Sequence, residues 1–275
     1  MKGILLVTRA ARLGVKGFTG FVLFFLAIPL VAILSDSFAG SKAVILSFPP
    51  KGFGFSWYYT LLTSPDFAQG LWVSLPLGVT ASVCSLLVAL TLVIALKRYS
   101  VSGSDILRSY ALSPLIVPEV VIGVAMLQLF RALGLFGSFF ALVLAHVVIT
   151  MPYSIRILEA TFLGVDASLE DAARTLGANE FTVFRRVTLP SIQAGLVASF
   201  IFGFVTSLND IAMTAFLITP KVTTVSMVIF GWSTKLYTPI LAAASGVITF
   251  ATFLFLIVLD RTIGIDKATA FVAYR

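Results

Sequence analysis

Residues Leu169–Pro190 read LEDAARTLGANEFTVFRRVTLP. Within these residues fall Glu170, Asp171, Arg174, Glu180, Arg185 and Arg186, in a chain otherwise dominated by Leu, Val, Ile, Ala and Phe. An island this polar cannot lie in hydrocarbon, where each charged side chain at a helix centre costs roughly 2.5–3.5 kcal/mol to insert. It therefore divides the apolar sequence into two parts, one on each side of an aqueous segment. The fold is decided by how many membrane crossings each part makes.

The composition supports that frame. Of 275 residues, 59% are hydrophobic and 11% charged, with a mean hydropathy of +1.06. Soluble domains carry about 25% charged residues, so a protein surrounded by lipid is implied. Apolar runs of the roughly 20 residues needed to cross a bilayer recur along the chain. They predict spans at 18–34, 71–96, 107–130, 138–153, 194–218 and 240–259, with the loop 156–190 between the fourth and the fifth. The run Phe18–Leu34 is longer than the roughly 7–15 residues of a signal-peptide core, and is read as a retained first span. No internal repeat or low-complexity linker interrupts the sequence, so a single transmembrane domain, 1–275, is expected.

Orientation follows from the basic residues, which concentrate on the cytoplasmic side of short loops. With the N-terminus inside, the leading segment, Lys97, Arg98, Arg108, Arg156, the island and the tail hold fourteen of the 19 Lys and Arg. Both ends then lie in the cytoplasm, and so does the island. The net charge of +7 is accounted for by these loops, not by nucleic-acid binding. The single cysteine, Cys84, allows no intrachain disulfide and no thiolate metal site.

Within the island, Ser168-x-x-Asp171 has the form of a helix start, with Glu170 and Asp171 suited to the positive end of the helix dipole. Leu169, Ala172, Ala173 and Leu176 fall at helical spacing on one face, and Gly177 supplies a left-handed stop. Asn179 then caps a second short helix, Glu180–Val187, closed by Pro190. Helices of this length are below the roughly 12–15 residues at which isolated helices become marginal. Their faces must pack on something: the chain's own spans, the membrane surface, or a soluble partner.

The island resembles the cytoplasmic signature loop of ABC importer permeases, which reads Glu-Ala-Ala, three residues, Gly, nine residues, Ile-x-Leu-Pro. Here it reads Asp171-Ala172-Ala173, three residues, Gly177, nine residues, and Val187-Thr188-Leu189-Pro190. Asp replaces Glu and Val replaces Ile, with Glu170 beside the first change. Within the family, PLIVPEVVIGVAML (114–127) and SLNDIAMTAFLITP (207–220) are similar to permeases of the spermidine/putrescine type. Phosphonate, thiamine and ferric-iron permeases are related alternatives.

The resemblance implies an all-α membrane protein with six transmembrane helices, multi-pass in the bacterial cytoplasmic (inner) membrane. It implies that Glu170, Asp171, Ala172, Ala173, Leu176, Gly177, Leu189 and Pro190 form a coupling element that docks on an ATP-binding subunit. The implied partners are two such subunits carrying ATP and Mg, a second and non-identical permease, and an external solute-binding protein. Asp36–Gln69 and Pro220–Pro239 are the candidate contacts for that binding protein. No cofactor is expected in this chain.

Three polar residues inside the spans are candidates for the solute path: Glu119, Asn209 and Asp210. Two acids and no deep basic residue favour a cation, although either acid could equally pair with a neighbouring helix or subunit. His146 reads as an interhelical hydrogen-bonder, with Thr150 sharing its bond, and Trp232 and Tyr237 as an interfacial belt. No Gly-x-x-x-x-Gly-Lys-Ser/Thr loop occurs in the sequence, so ATP hydrolysis is not expected here. An ion-gradient carrier using Glu119 and Asp210, or a membrane scaffold without transport, are the rivals.

Overall fold

The computed structural model describes residues 2–40, 47–99, 102–235 and 238–263. Tyr237 of the expected interfacial belt and the basic residues Lys267 and Arg275 of the tail lie outside the described residues. Among the described residues the protein is helical, with a lone antiparallel bridge between Thr219 and Val222. The helices are α1 (Lys2–Asp36), α2 (Ser56–Leu62), α3 (Pro65–Arg98), α4 (Ser104–Leu112), α5 (Glu119–Ala132), α6 (Phe139–Phe162), α7 (Ala167–Thr175), α8 (Glu180–Val183), α9 (Leu189–Ser191), α10 (Gln193–Asn209), α11 (Val225–Ser233) and α12 (Pro239–Ile263).

Gly14–Asp36, Pro65–Arg98 and Phe139–Phe162 are each long and apolar enough to cross a membrane. Two bent pairs raise the count to five if each is one span: Ser104–Leu115 with Glu119–Ala132, bent by 102°, and Glu180–Ser191 with Gln193–Asn209, bent by 67°. A further apolar helical stretch, Pro239–Leu254, is shorter. The first bend has a local cause. Pro118 is extended, with φ −55° and ψ 132°. Its ring disfavours helix at Val117 and removes a backbone donor.

The expected span 194–218 is helical only to Asn209. Asp210 is extended, with φ −67° and ψ 126°, and a short 3₁₀ turn at Thr214–Phe216 comes next. A span can break like this inside a membrane protein only where the freed backbone groups find partners.

The chain's contacts divide into two compact units. The first comprises Met1–Ser64 and Gly231–Ala251. In it Phe38, Phe53, Phe55 and Tyr58 form an aromatic cluster with ring centroids 5.3–6.3 Å apart, and the hydroxyls of Ser37 and Tyr58 are 2.7 Å apart.

The second unit comprises Pro65–Phe230 and Thr252–Arg275, and is built on α3, α6 and α10. The buried face of α3 carries, beside Phe67, Leu77 and Val93, a stripe of small residues: Gly70, Ser74, Gly78, Ala81, Ser82, Ser85 and Ala89. Most successive members fall three or four apart, on one side of the helix. In hydrocarbon the apolar side chains gain little by leaving lipid, so helices associate through close packing over such residues. The opposing faces include Ala141, Ala145, Ile149 and Leu158 of α6, and Ser199, Gly203 and Phe204 of α10.

Gly70 and Ser74 also seat the start of α11. The Val225 amide donates to the Ser74 hydroxyl at 2.8 Å, and a Cβ on Gly70 would lie 2.9 Å from the Val225 Cα. Backbone cannot yield as a flexible side chain can. Gly70→Ala is expected to destabilise the protein by about 1–3 kcal/mol through overpacking. The measurement is the thermal unfolding midpoint in detergent, which should fall relative to the unsubstituted chain.

Candidate functional site

The island folds as two short helices joined by a glycine turn. Helix α7 is capped by Asp166, whose carboxylate accepts the Ser168 amide at 2.9 Å. The expected start at Ser168 is thus displaced: Asp166 offers its acceptor first, and Ser168 becomes the second residue of the helix. At the other end the Ala178 amide donates to the Ala173 carbonyl at 3.1 Å and the Gly177 amide to the Arg174 carbonyl at 2.9 Å. Gly177 has φ +88°, a region open to glycine at little steric cost.

Asn179 caps α8 by accepting the Thr182 amide at 2.8 Å. The helix does not stop at Pro190. It continues through a π-helical turn, Phe184–Thr188, into α9, and breaks at Ile192. Pro190 is tolerated at the first turn of α9 because the wider turn does not require its missing donor.

Two arginines tie the island together. Arg174 donates to Asp171 at 2.8 Å and, through Nε and Nη2, to both Glu180 oxygens at 2.7 and 3.3 Å. This joins α7 to α8 across the glycine turn. The hydrogen bond from Arg174 holds the Glu180 carboxyl below its ordinary value of 4.5. Arg98, the last residue of α3, donates to Glu170 of α7 and to the Thr188 hydroxyl, which itself donates to Glu170 at 2.5 Å.

Of the residues assigned to docking, Glu170 is therefore turned inward, its residue surface only 7% exposed. Asp171, Ala172, Gly177 and Pro190 are not enclosed: Asp171 and Ala172 are exposed, and Gly177 and Pro190 lie at the surface of the loop, with Ala173 half-buried and Leu189 beside Pro190. The outer surface carries three large apolar side chains, Leu169, Leu176 and Phe181, which are 55, 88 and 70% exposed. Sequence reasoning missed Arg98 and Thr188. Arg98 reads only as a positive charge closing a span, and nothing in its neighbours announces a partner 72 residues away.

Deeper in the second unit, the break after α10 is organised by Asp210. Its carboxylate accepts the Thr214 amide at 2.9 Å, the Met213 amide at 3.4 Å and the Thr214 hydroxyl. His146 bridges this turn to α10: Nε2 lies 3.1 Å from the Thr214 hydroxyl and Nδ1 2.8 Å from that of Ser207. Since Thr214 spends its proton on Asp210, its oxygen accepts from His146 Nε2–H, and Nδ1 accepts from Ser207. Thr150 does not share this bond; it donates to the His146 carbonyl at 2.8 Å.

Glu119, by contrast, is the first residue of α5 and is exposed. One turn on, a Cβ at Gly123 would be 3.0 Å from the Met213 carbonyl oxygen, so the start of α5 lies against the Asp210 turn. Asn209 is exposed, its amide donating to the Val205 carbonyl at 2.9 Å. Among the described residues, no group of three or more His, Cys, Asp or Glu could hold a metal ion.

Residues 81–263 match the family described as binding-protein-dependent transport system inner membrane component, and the chain belongs to that family. It is thus a transport subunit of the inner membrane. It is 26% identical over 205 residues to the spermidine/putrescine transport system permease protein PotC of Escherichia coli strain K12, covering 74% of this chain and 76% of that one. The putrescine transport system permease protein PotI of the same strain is 28% identical over 213 residues, covering 75% of each chain. Among solved structures, a bacterial ABC transporter that imports the acidic polysaccharide alginate superposes with a TM-score of 0.70 at 17% identity, over 92% of this chain and 95% of that one.

The Glu180 pair sets a pH dependence with a definite sign. A carboxyl held below its unfolded value stabilises the folded form above that value, and the effect is lost as pH falls through the folded one. Amide exchange at Val183 and Phe184, corrected for intrinsic rate, is expected to be constant from neutral pH down to about 4.5 and to accelerate below it. Glu180→Gln should remove that step; a step persisting in the variant contradicts the assignment.

Proposed function

We propose that this chain is one of two transmembrane subunits of an ATP-driven importer that passes a polyamine or a similar small cation. In this reading six spans cross the membrane with both termini in the cytoplasm, and the bent pairs and α12 supply those beyond the three unbroken helices. Two ATP-binding subunits carry ATP and Mg. The other permease is non-identical, and an external solute-binding protein delivers the solute. No ATPase chemistry is assigned to this chain.

One observation carries the docking assignment. Leu169, Leu176 and Phe181 are large apolar side chains displayed on the most polar segment of the protein, and apolar groups there gain from burial against a protein partner. Asp171, 74% exposed at the side chain, and Ala172 border that surface. Gly177, Leu189 and Pro190 shape the loop beneath it.

Charge supports the choice of solute. The start of α5, which carries Glu119, lies against the turn that Asp210 organises, so an amine entering there would meet two carboxyl groups. Glu119 is the acid free to face it, Asn209 a neighbouring polar group, and Asp210 holds the turn in place. PotC and PotI are named for spermidine and putrescine.

The test is co-expression of the chain with its partner subunits. Leu176→Glu is expected to abolish co-purification of the ATP-binding subunit. Glu119→Gln should leave the complex intact and raise the KM for putrescine uptake about tenfold, the equivalent of one lost charge-assisted contact. An unchanged KM would remove Glu119 from the path. Retention of the ATPase by Leu176→Glu would remove the docking surface.

A further inference from the structure

The arrangement around Glu170 goes beyond docking. Its carboxylate, the Arg98 guanidinium and the Thr188 hydroxyl are each bonded to the other two. The three come from different elements: the last residue of α3, the middle of α7, and the π-helical turn that leads through α9 into α10. Side-chain exposure is 18% for Arg98 and 10% for Glu170, and Thr188 is fully buried. Arg174 closes the remaining side, its Nη2 3.5 Å from the second Glu170 oxygen.

A closed triangle differs mechanically from a single ion pair. One bond joins two elements, whereas three mutual bonds tie three elements at one buried node. A buried carboxylate that loses its guanidinium stays desolvated and unpaired, so the triangle opens only at high cost. We propose that Arg98, Glu170 and Thr188 are positioning residues that make the docking loop and the feet of α3 and α10 move as one body. A push on α7 then reaches two membrane helices at once, and is not absorbed by rotation of the loop. This rests on the docking role proposed for the island and adds to it the route by which force enters the membrane.

The prediction separates coupling from attachment. In membrane vesicles holding the complete transporter, Arg98→Gln is expected to retain the ATPase subunit and its hydrolysis within about twofold. Putrescine accumulated per ATP should fall by roughly tenfold. Arg98→Lys keeps the charge but not the planar fork, so an intermediate yield is expected. Thr188→Val leaves the ion pair in place and folds most safely; it should lower the yield by less.

If these variants transport with the wild-type yield per ATP, or if transport and hydrolysis fall in strict proportion, the triangle is a structural staple and the proposal fails. If the unsubstituted chain captures no ATPase, the docking role itself fails and the triangle's coupling role goes with it.

Discussion

A carboxylate removed from water has to be matched in charge and in hydrogen bonds, and Glu170 meets that requirement with groups from two distant parts of the chain. Arg98 must end α3 at the level of the loop, and the π-helical turn must bring Thr188 inward. With Glu170 anchored, Leu169 on α7 and Leu176 at its C-terminal end stay exposed. The short helices are stable because one face is bound to the chain itself, which an isolated peptide of this length would lack.

The same constraint governs the interior of the bundle. Hydrocarbon offers no partner to a free amide, so the break after Asn209 survives only because Asp210 takes up the amides of Met213 and Thr214. His146 then fixes that turn to α10 through two hydroxyls. Both sites use a buried carboxylate to hold an irregular turn, once at the loop and once within a span. The two acids that the sequence pairs as solute ligands therefore have different surroundings: Asp210 is enclosed and engaged, while Glu119 is exposed at the head of α5.

Much of this was legible in the chain. Apolar run lengths marked the long helices, and Gly177 and Asn179 marked the turn and cap because each uses a local mechanism that depends on neighbours within four residues. Pro118 marked a bend for the same reason, though its size of 102° depends on what α5 packs against. The end of α10 falls well short of the expected Ile218 because Ile211–Ile218 is as apolar as a helix; the capping role of Asp210 shows only once the turn is seen. Arg98 and Thr188 were invisible as site residues, since their meaning lies in contacts 72 and 18 residues away in sequence. Those same contacts turn Glu170 inward, where its position in the signature loop suggests an outward docking charge.

In the proposed assembly, an ATP-binding subunit sits on the clasped island. The most direct measurement is site-specific cross-linking from Leu176→Cys, in a chain whose own Cys84 is replaced by Ser, within membranes holding the assembled transporter. A short thiol-reactive cross-linker should join position 176 to the ATP-binding subunit, and assembly should shield that cysteine from a soluble maleimide. A cysteine at 176 that labels freely in the assembled complex and cross-links to no ATP-binding subunit would contradict the account.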